Sequence, residues 1–165
     1  MRAYMEGNLV KVVVYTLTPH TLCSIRSGET ALTVLDETGF VTSDPVLVEG
    51  ADFLGGDLAT TIASISGNTV TLGEAAGTTI SRKRFGRRVN PSSAVFKVER
   101  PNGTVDTYTF PTGVISNPIA GKFVLTYTPA AGSQRHGLYL ARFIGTGTAE
   151  CADEISFRLT PSGID

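Results

Sequence analysis

Between positions 121 and 159 apolar side chains fall at every second position: Phe123, Leu125 and Tyr127, then Tyr139, Ala141 and Phe143, then Ile155, Phe157 and Leu159. Successive side chains of an extended chain point to opposite faces. The alternation therefore predicts three strands, each with one buried face and with Thr126, Arg142, Ser156 and Arg158 on the wet side. Three such strands in succession, joined by polar turns, predict one antiparallel sheet that forms half of a sandwich. Upstream, the Val-rich stretch 8–16 predicts a strand that Pro19 ends. Shorter strands follow at 31–34 and 45–48, and EGADFLGGD at 49–57 reads as a glycine-rich connection with room for one helical turn at most. TTIASIS and TVTL flank Gly67-Asn68, a pair that reaches positive φ cheaply, so this stretch predicts a two-residue hairpin. Residues 90–110 read as strand, turn and strand. Ala94, Phe96 and Val98 point inward and Pro101-Asn102-Gly103 makes the turn, while Asp106, Tyr108 and Phe110 share one face and leave the register of the returning strand open. PTGVISNPIAG at 111–121 reads as a loop.

Composition narrows the class. With 18 Gly and 8 Pro among 165 residues, the chain describes many short strands and many turns, in one domain or two small ones. Its formal net charge of -1, with 18% charged residues, gives the whole chain no electrostatic pull toward nucleic acid or an anionic membrane. No stretch approaches the roughly 20 apolar residues of a bilayer span. The N-terminal MRAYMEGNLVKVVVYTLT reads as strand and not as a signal peptide, because acidic Glu6 interrupts it and no small-residue cleavage site follows an apolar run.

The chemistry-bearing residues are few. Arg82, Lys83, Arg84, Arg87 and Arg88 crowd around Phe85 and Gly86. Three readings stand side by side: a solvated connector whose charges keep a sheet edge from pairing, a contact to an acidic protein partner, and a contact to nucleic acid. The last is the weakest, since only Phe85 offers a ring for base stacking. As a partner site, the expectation is that the cations pair with carboxylates while Phe85 fills a pocket between them. His20, Cys23, His136 and Cys151 are the only residues of their types. His20 and Cys23 are near enough to share one turn, but His136 and Cys151 lack the short repeat spacing of zinc motifs, so no metal is expected. Asp36, Glu37, Asp44, Glu49, Asp52 and Asp57 scatter through turns with no acid and base pair among them, and the usual nucleophile, metalloprotease and phosphate-loop motifs are missing. The expectation is a protein that is not an enzyme and needs no cofactor.

NPSSAVFKV, the PNGTVDTYTF hairpin, GKFVLTYT and GLYLARFIGTGTAECADEISFRL together resemble the small immunoglobulin-like domain of structural proteins from tailed bacteriophages. GNLVKVVVYT matches that domain's leading strand. Residues 1–17 and 90–165 are then an immunoglobulin-like β-sandwich, and residues 18–89 are an insertion whose sequence resembles a small β-barrel module recurring in phage head, tail and fibre proteins. The resemblance implies an all-β virion protein assembled in the bacterial cytoplasm, where a Cys23–Cys151 disulfide would not be expected. Its implied partners are the major capsid protein or neck and tail subunits, and its own copies in a homo-oligomer such as a trimer, without a membrane and without nucleic acid. Three classes follow: a structural protein, a fibre or adhesin module recognising a host glycan, and an enzyme. Phe and Tyr fall mostly at strand positions and not on loops, which favours the structural class. Within that class two compact β modules without a coiled coil suit capsid decoration, that is, a cement protein, with a neck, tail or baseplate component as the alternative.

Overall fold

The computed structural model describes residues 1–6, 9–129, 136–147, 149–160 and 163–164. The protein is all-β, and every strand pair is antiparallel. It divides into two compact units: Met1–Thr16 with Val89–Asp165, and Leu17–Arg88.

The first unit holds two sheets. β1 (Arg2–Glu6), β2 (Leu9–Tyr15), β12 (Lys122–Tyr127) and β11 (Ile115–Ile119) make one, in that order. The other runs β10 (Val105–Thr109), β9 (Ser93–Glu99), β13 (Gly137–Thr146), β14 (Cys151–Thr160) and β15 (Gly163–Ile164). Both sheets feed one hydrophobic cluster: Val10, Val12 and Val14 of β2 with Phe123, Leu125 and Tyr127 of β12, against Phe96, Tyr139, Phe143 and Phe157. Phe143 sits at its centre, with ring centroids 4.9 Å from Phe96 and 5.5 Å from Phe123. Each such ring pair adds about 0.5–1.5 kcal/mol beyond its buried area.

The alternation at 121–159 therefore marks the buried faces, but the three strands do not form one sheet. β12 pairs with β2, from Lys122 opposite Tyr15 to Tyr127 opposite Val10, while β13 lies between β9 and β14. The stretch expected to be a loop before β12 holds a strand, β11, with a register shift between Ser116 and Ile119. The chain leaves and re-enters this unit at one point, where the Thr16 hydroxyl and carbonyl bond the carbonyl and N–H of Val89.

The second unit is a closed barrel of six strands: β3 (Leu17–Ile25), β4 (Ala31–Val34), β7 (Thr69–Leu72), β6 (Leu58–Ser66), β5 (Pro45–Val48) and β8 (Ile80–Arg88). The Gly67-Asn68 turn joins β6 to β7 with Ser66 opposite Thr69, the predicted two-residue hairpin, and Gly67 takes φ +52. Pro19 does not end a strand. β3 runs through it, and its pairing with β8 skips from Leu17 to His20, an irregularity of the kind that accommodates a residue without an N–H. The barrel core gathers Leu32, Val46, Val48, Ile62, Val70 and Phe85 from five of the six strands.

Candidate functional site

The run 82–88 is not a connector; it lies in strand β8, which pairs with β3 on one side and β5 on the other. Its residues fall on both sides of the barrel wall without strict alternation. Phe85 points inward, has no exposed surface, and packs against Phe40 with the rings tilted and their centroids 4.8 Å apart. It is a core residue and is no anchor for a partner's pocket, which corrects the expectation drawn from the sequence. Gly86 beside it is buried too, and a Cβ there would lie 2.8 Å from the Leu17 Cβ.

The cations part company. The Arg87 Nε donates to the Thr18 carbonyl at 3.1 Å, and its Nη1 lies 3.7 Å from the Oδ1 of Asp44, a carboxylate whose other oxygen accepts the Val41 N–H. Arg87 thereby ties the barrel wall together, and Arg88 is likewise half-buried. Arg82, Lys83 and Arg84 are exposed, and with Ser81 they make four exposed residues in a row. A strict pleat would forbid that. The cause is a bulge: the β3–β8 register shifts between Cys23 and Ile25, and Arg82 sits at φ +52 with its N–H held by the Ser24 hydroxyl at 3.2 Å. The Arg84 N–H donates in turn to Glu49 Oε2 at 3.4 Å. The outcome is a short, three-cation strip on the stretch of β8 that pairs with β3.

The other candidates separate as well. His20 and Cys23 lie on strand β3 and not on a turn; His20 is exposed and Cys23 buried, as a three-residue separation along a strand requires. Burial, with the Glu49 carboxylate nearby, pushes the Cys23 thiol up to about 12. Burial also raises the Cys151 thiol, against the lowering effect of its bond with Gly145. Both are free thiols that stay protonated near neutrality, the form that is a poor nucleophile and a poor ligand. Among the described residues no three His, Cys, Asp or Glu side chains converge as metal ligands.

Two features escaped the sequence reading. In the first unit, Asp106 accepts two hydrogen bonds from the Arg100 guanidinium, at 2.7 and 2.8 Å, and one from the Tyr127 hydroxyl at 3.1 Å. Burial first, and Asp106 second, raise the Tyr127 phenol. The cluster explains why Asp106 shares a face with Tyr108: the register sets it opposite Val98, with Arg100 as its partner beyond the end of β9. In the barrel, Phe53 and Leu54 stand 78% and 99% exposed on the turn at Phe53–Gly55. The only sequence signal was an apolar pair between Asp52 and Gly55-Gly56, where a turn needs neither side chain.

No family model, curated protein or solved structure matches the chain.

Proposed function

We propose that this chain is a non-enzymatic structural protein of a tailed-bacteriophage virion, a capsid decoration protein that binds and stabilises the head shell. One observation carries the reading. Arg82, Lys83 and Arg84 form an exposed cation strip on the stretch of β8 that runs along β3, with Arg84 also bonded to Glu49, so three charges are presented side by side to an acidic protein surface. The resemblance of the chain outside the barrel to immunoglobulin-like phage domains supports the setting, and the two facing sheets of the first unit are compatible with that fold. Repetition around a symmetric shell would multiply a contact that is weak in each copy.

The test is a copy number followed by a variant. Particles from a phage encoding this chain are purified, and the protein is quantified against the major capsid protein. Decoration predicts abundance on the scale of the capsid subunit, whereas a few copies per particle places the protein at the neck, tail or baseplate, and absence overturns the virion reading. Replacing Arg82, Lys83 and Arg84 together by Ser is then expected to leave the melting profile unchanged and to lower occupancy. Wild-type occupancy should fall with added salt, because exposed pairs are screened within about 10 Å at 0.1 M ionic strength.

One observation favours the fibre or adhesin reading: Phe53 is a solvent-facing aromatic on a turn, the kind of residue that stacks on a sugar ring. Saturable binding of host surface polysaccharide, lost in Phe53→Ala, would establish it.

A further inference from the structure

The turn at Phe53–Gly55 is built with more care than its exposure calls for. Asp52 Oδ1 accepts the Phe53 N–H at 2.7 Å, the Asp52 N–H reaches the Gly56 carbonyl at 2.8 Å, and the Asp52 carbonyl takes the Thr78 hydroxyl at 2.9 Å. Gly77 packs so close beneath it that a Cβ there would lie 2.7 Å from the Phe53 nitrogen. At the tip, Leu54 takes φ +60. For a branched apolar residue this backbone is strained, where Gly or Asn would sit at ease, and the side chain is left in water. Neither the turn nor the barrel core gains from Leu at this position. Single exposed apolar residues are ordinary; here two adjacent ones are held together on one hydrogen-bonded turn.

The same barrel carries a surface that fits it. Leu22 and Leu35 are joined by the bond from the Leu35 N–H to the Leu22 carbonyl, and with Thr33 and Val34 they line a shallow depression of about 110 Å³ whose rim includes Arg82. Leu35 is 64% exposed. The depression is open to solvent and of a size that takes one small apolar side chain. Charge matches as well as shape. Residues 27–81 contain eight Asp or Glu and no Lys or Arg; one of the acids, the exposed Asp52, precedes the tip, while the half-buried Asp57 behind it accepts the Gly50 N–H. The cations of the barrel other than Arg26 all lie on β8, three of them exposed beside or near the depression. Asp36, next to Leu35, turns its carboxylate back to the Thr38 N–H.

From these two complementary surfaces we infer that the barrel binds a second copy of this chain head to tail, the Phe53–Leu54 tip of one copy seated on the Leu22–Leu35 depression of the next, with Arg82 facing Asp52. Because the two surfaces differ, the contact is heterologous, and successive copies either close a ring or extend a chain. The contact is small compared with a stable interface of about 800 Å² per partner, so it is weak between free copies and strengthens where a lattice concentrates them. It does not depend on the shell-binding reading, since purified protein tests it.

Sedimentation of the purified protein up to about 1 mM, the weak end of specific affinity, is the first measurement; self-association is expected, and a monomer throughout overturns the inference. Leu54→Ser and Leu35→Ser are each expected to weaken association at least tenfold with melting profiles unchanged. Mixing the two variants decides the geometry. The intact tip of Leu35→Ser meets the intact depression of Leu54→Ser, so the mixture forms dimers and nothing larger. If Leu35→Ser associates like the wild type, the contact is tip to tip or lies elsewhere and the inference fails. It fails equally if the mixture stays monomeric.

Discussion

Asp106→Ala strikes the polar cluster that fastens β10 to the core of the first unit, and its cost can be built up bond by bond. The Arg100 and Asp106 side chains are 26% and 18% exposed, so solvent screens the ion pair in part and its loss costs about 1 kcal/mol. The Tyr127 hydroxyl is the larger part. Tyr127 is 1% exposed, and without Asp106 its buried O–H loses its acceptor at about 1–3 kcal/mol. Together the substitution should cost about 3 kcal/mol. Tyr127→Phe removes the hydroxyl and keeps the Arg100–Asp106 pair, for about 1 kcal/mol. In the double variant no stranded hydroxyl remains, so the combined loss should fall short of the sum of the singles by about 1–1.5 kcal/mol. Trp is absent, so urea unfolding is followed by circular dichroism. A cost for Asp106→Ala below about 1 kcal/mol, or losses additive within about 0.3 kcal/mol, would refute the claim that Asp106 serves a buried phenol.

Phe85→Ala is expected to destabilise the barrel by about 3–5 kcal/mol, as truncating a fully buried ring does, whereas Leu54→Ala costs it nothing. Thermal unfolding in which Phe85→Ala melts like the wild type would return Phe85 to the surface. Gly77→Ala pushes on the backbone of Phe53 and should lower the melting midpoint while weakening self-association, with both effects read on one preparation. The Cys23 thiol stays protonated in the fold up to about pH 12, where the unfolded chain releases the proton from about 9.0. The folded state therefore binds more protons in that window, and stability, full below pH 9.0, falls as pH rises toward 12 at up to about 1.4 kcal/mol per unit. A denaturant midpoint that holds constant from pH 9 to 11 in the wild type, or a decline equally steep in Cys23→Ala, would contradict this.

The sequence by itself determined which faces are wet and which are dry. Phe123, Leu125 and Tyr127, and likewise Tyr139, Ala141 and Phe143, are buried at alternate positions because the pleat leaves a side chain no other choice. The Gly67-Asn68 and Pro101-Asn102-Gly103 turns were equally legible, since positive φ is a local demand answered by local residues; Gly103 takes φ +79. Only the tertiary structure decided partners. Backbone hydrogen bonds carry no side-chain identity, so nothing in GKFVLTYT says that it pairs with β2 and not with the next strand; that choice follows from closing one core between two sheets. Run 82–88 hid its strand character because the bulge at Arg82 shifts the phase of alternation midway, placing four exposed residues ahead of a buried Phe. The acid at 106 looked misplaced until the fold brought Arg100 and Tyr127 to it. The Phe53–Leu54 tip was least legible of all, because neither the turn its residues occupy nor the core they stay out of calls for an apolar side chain there.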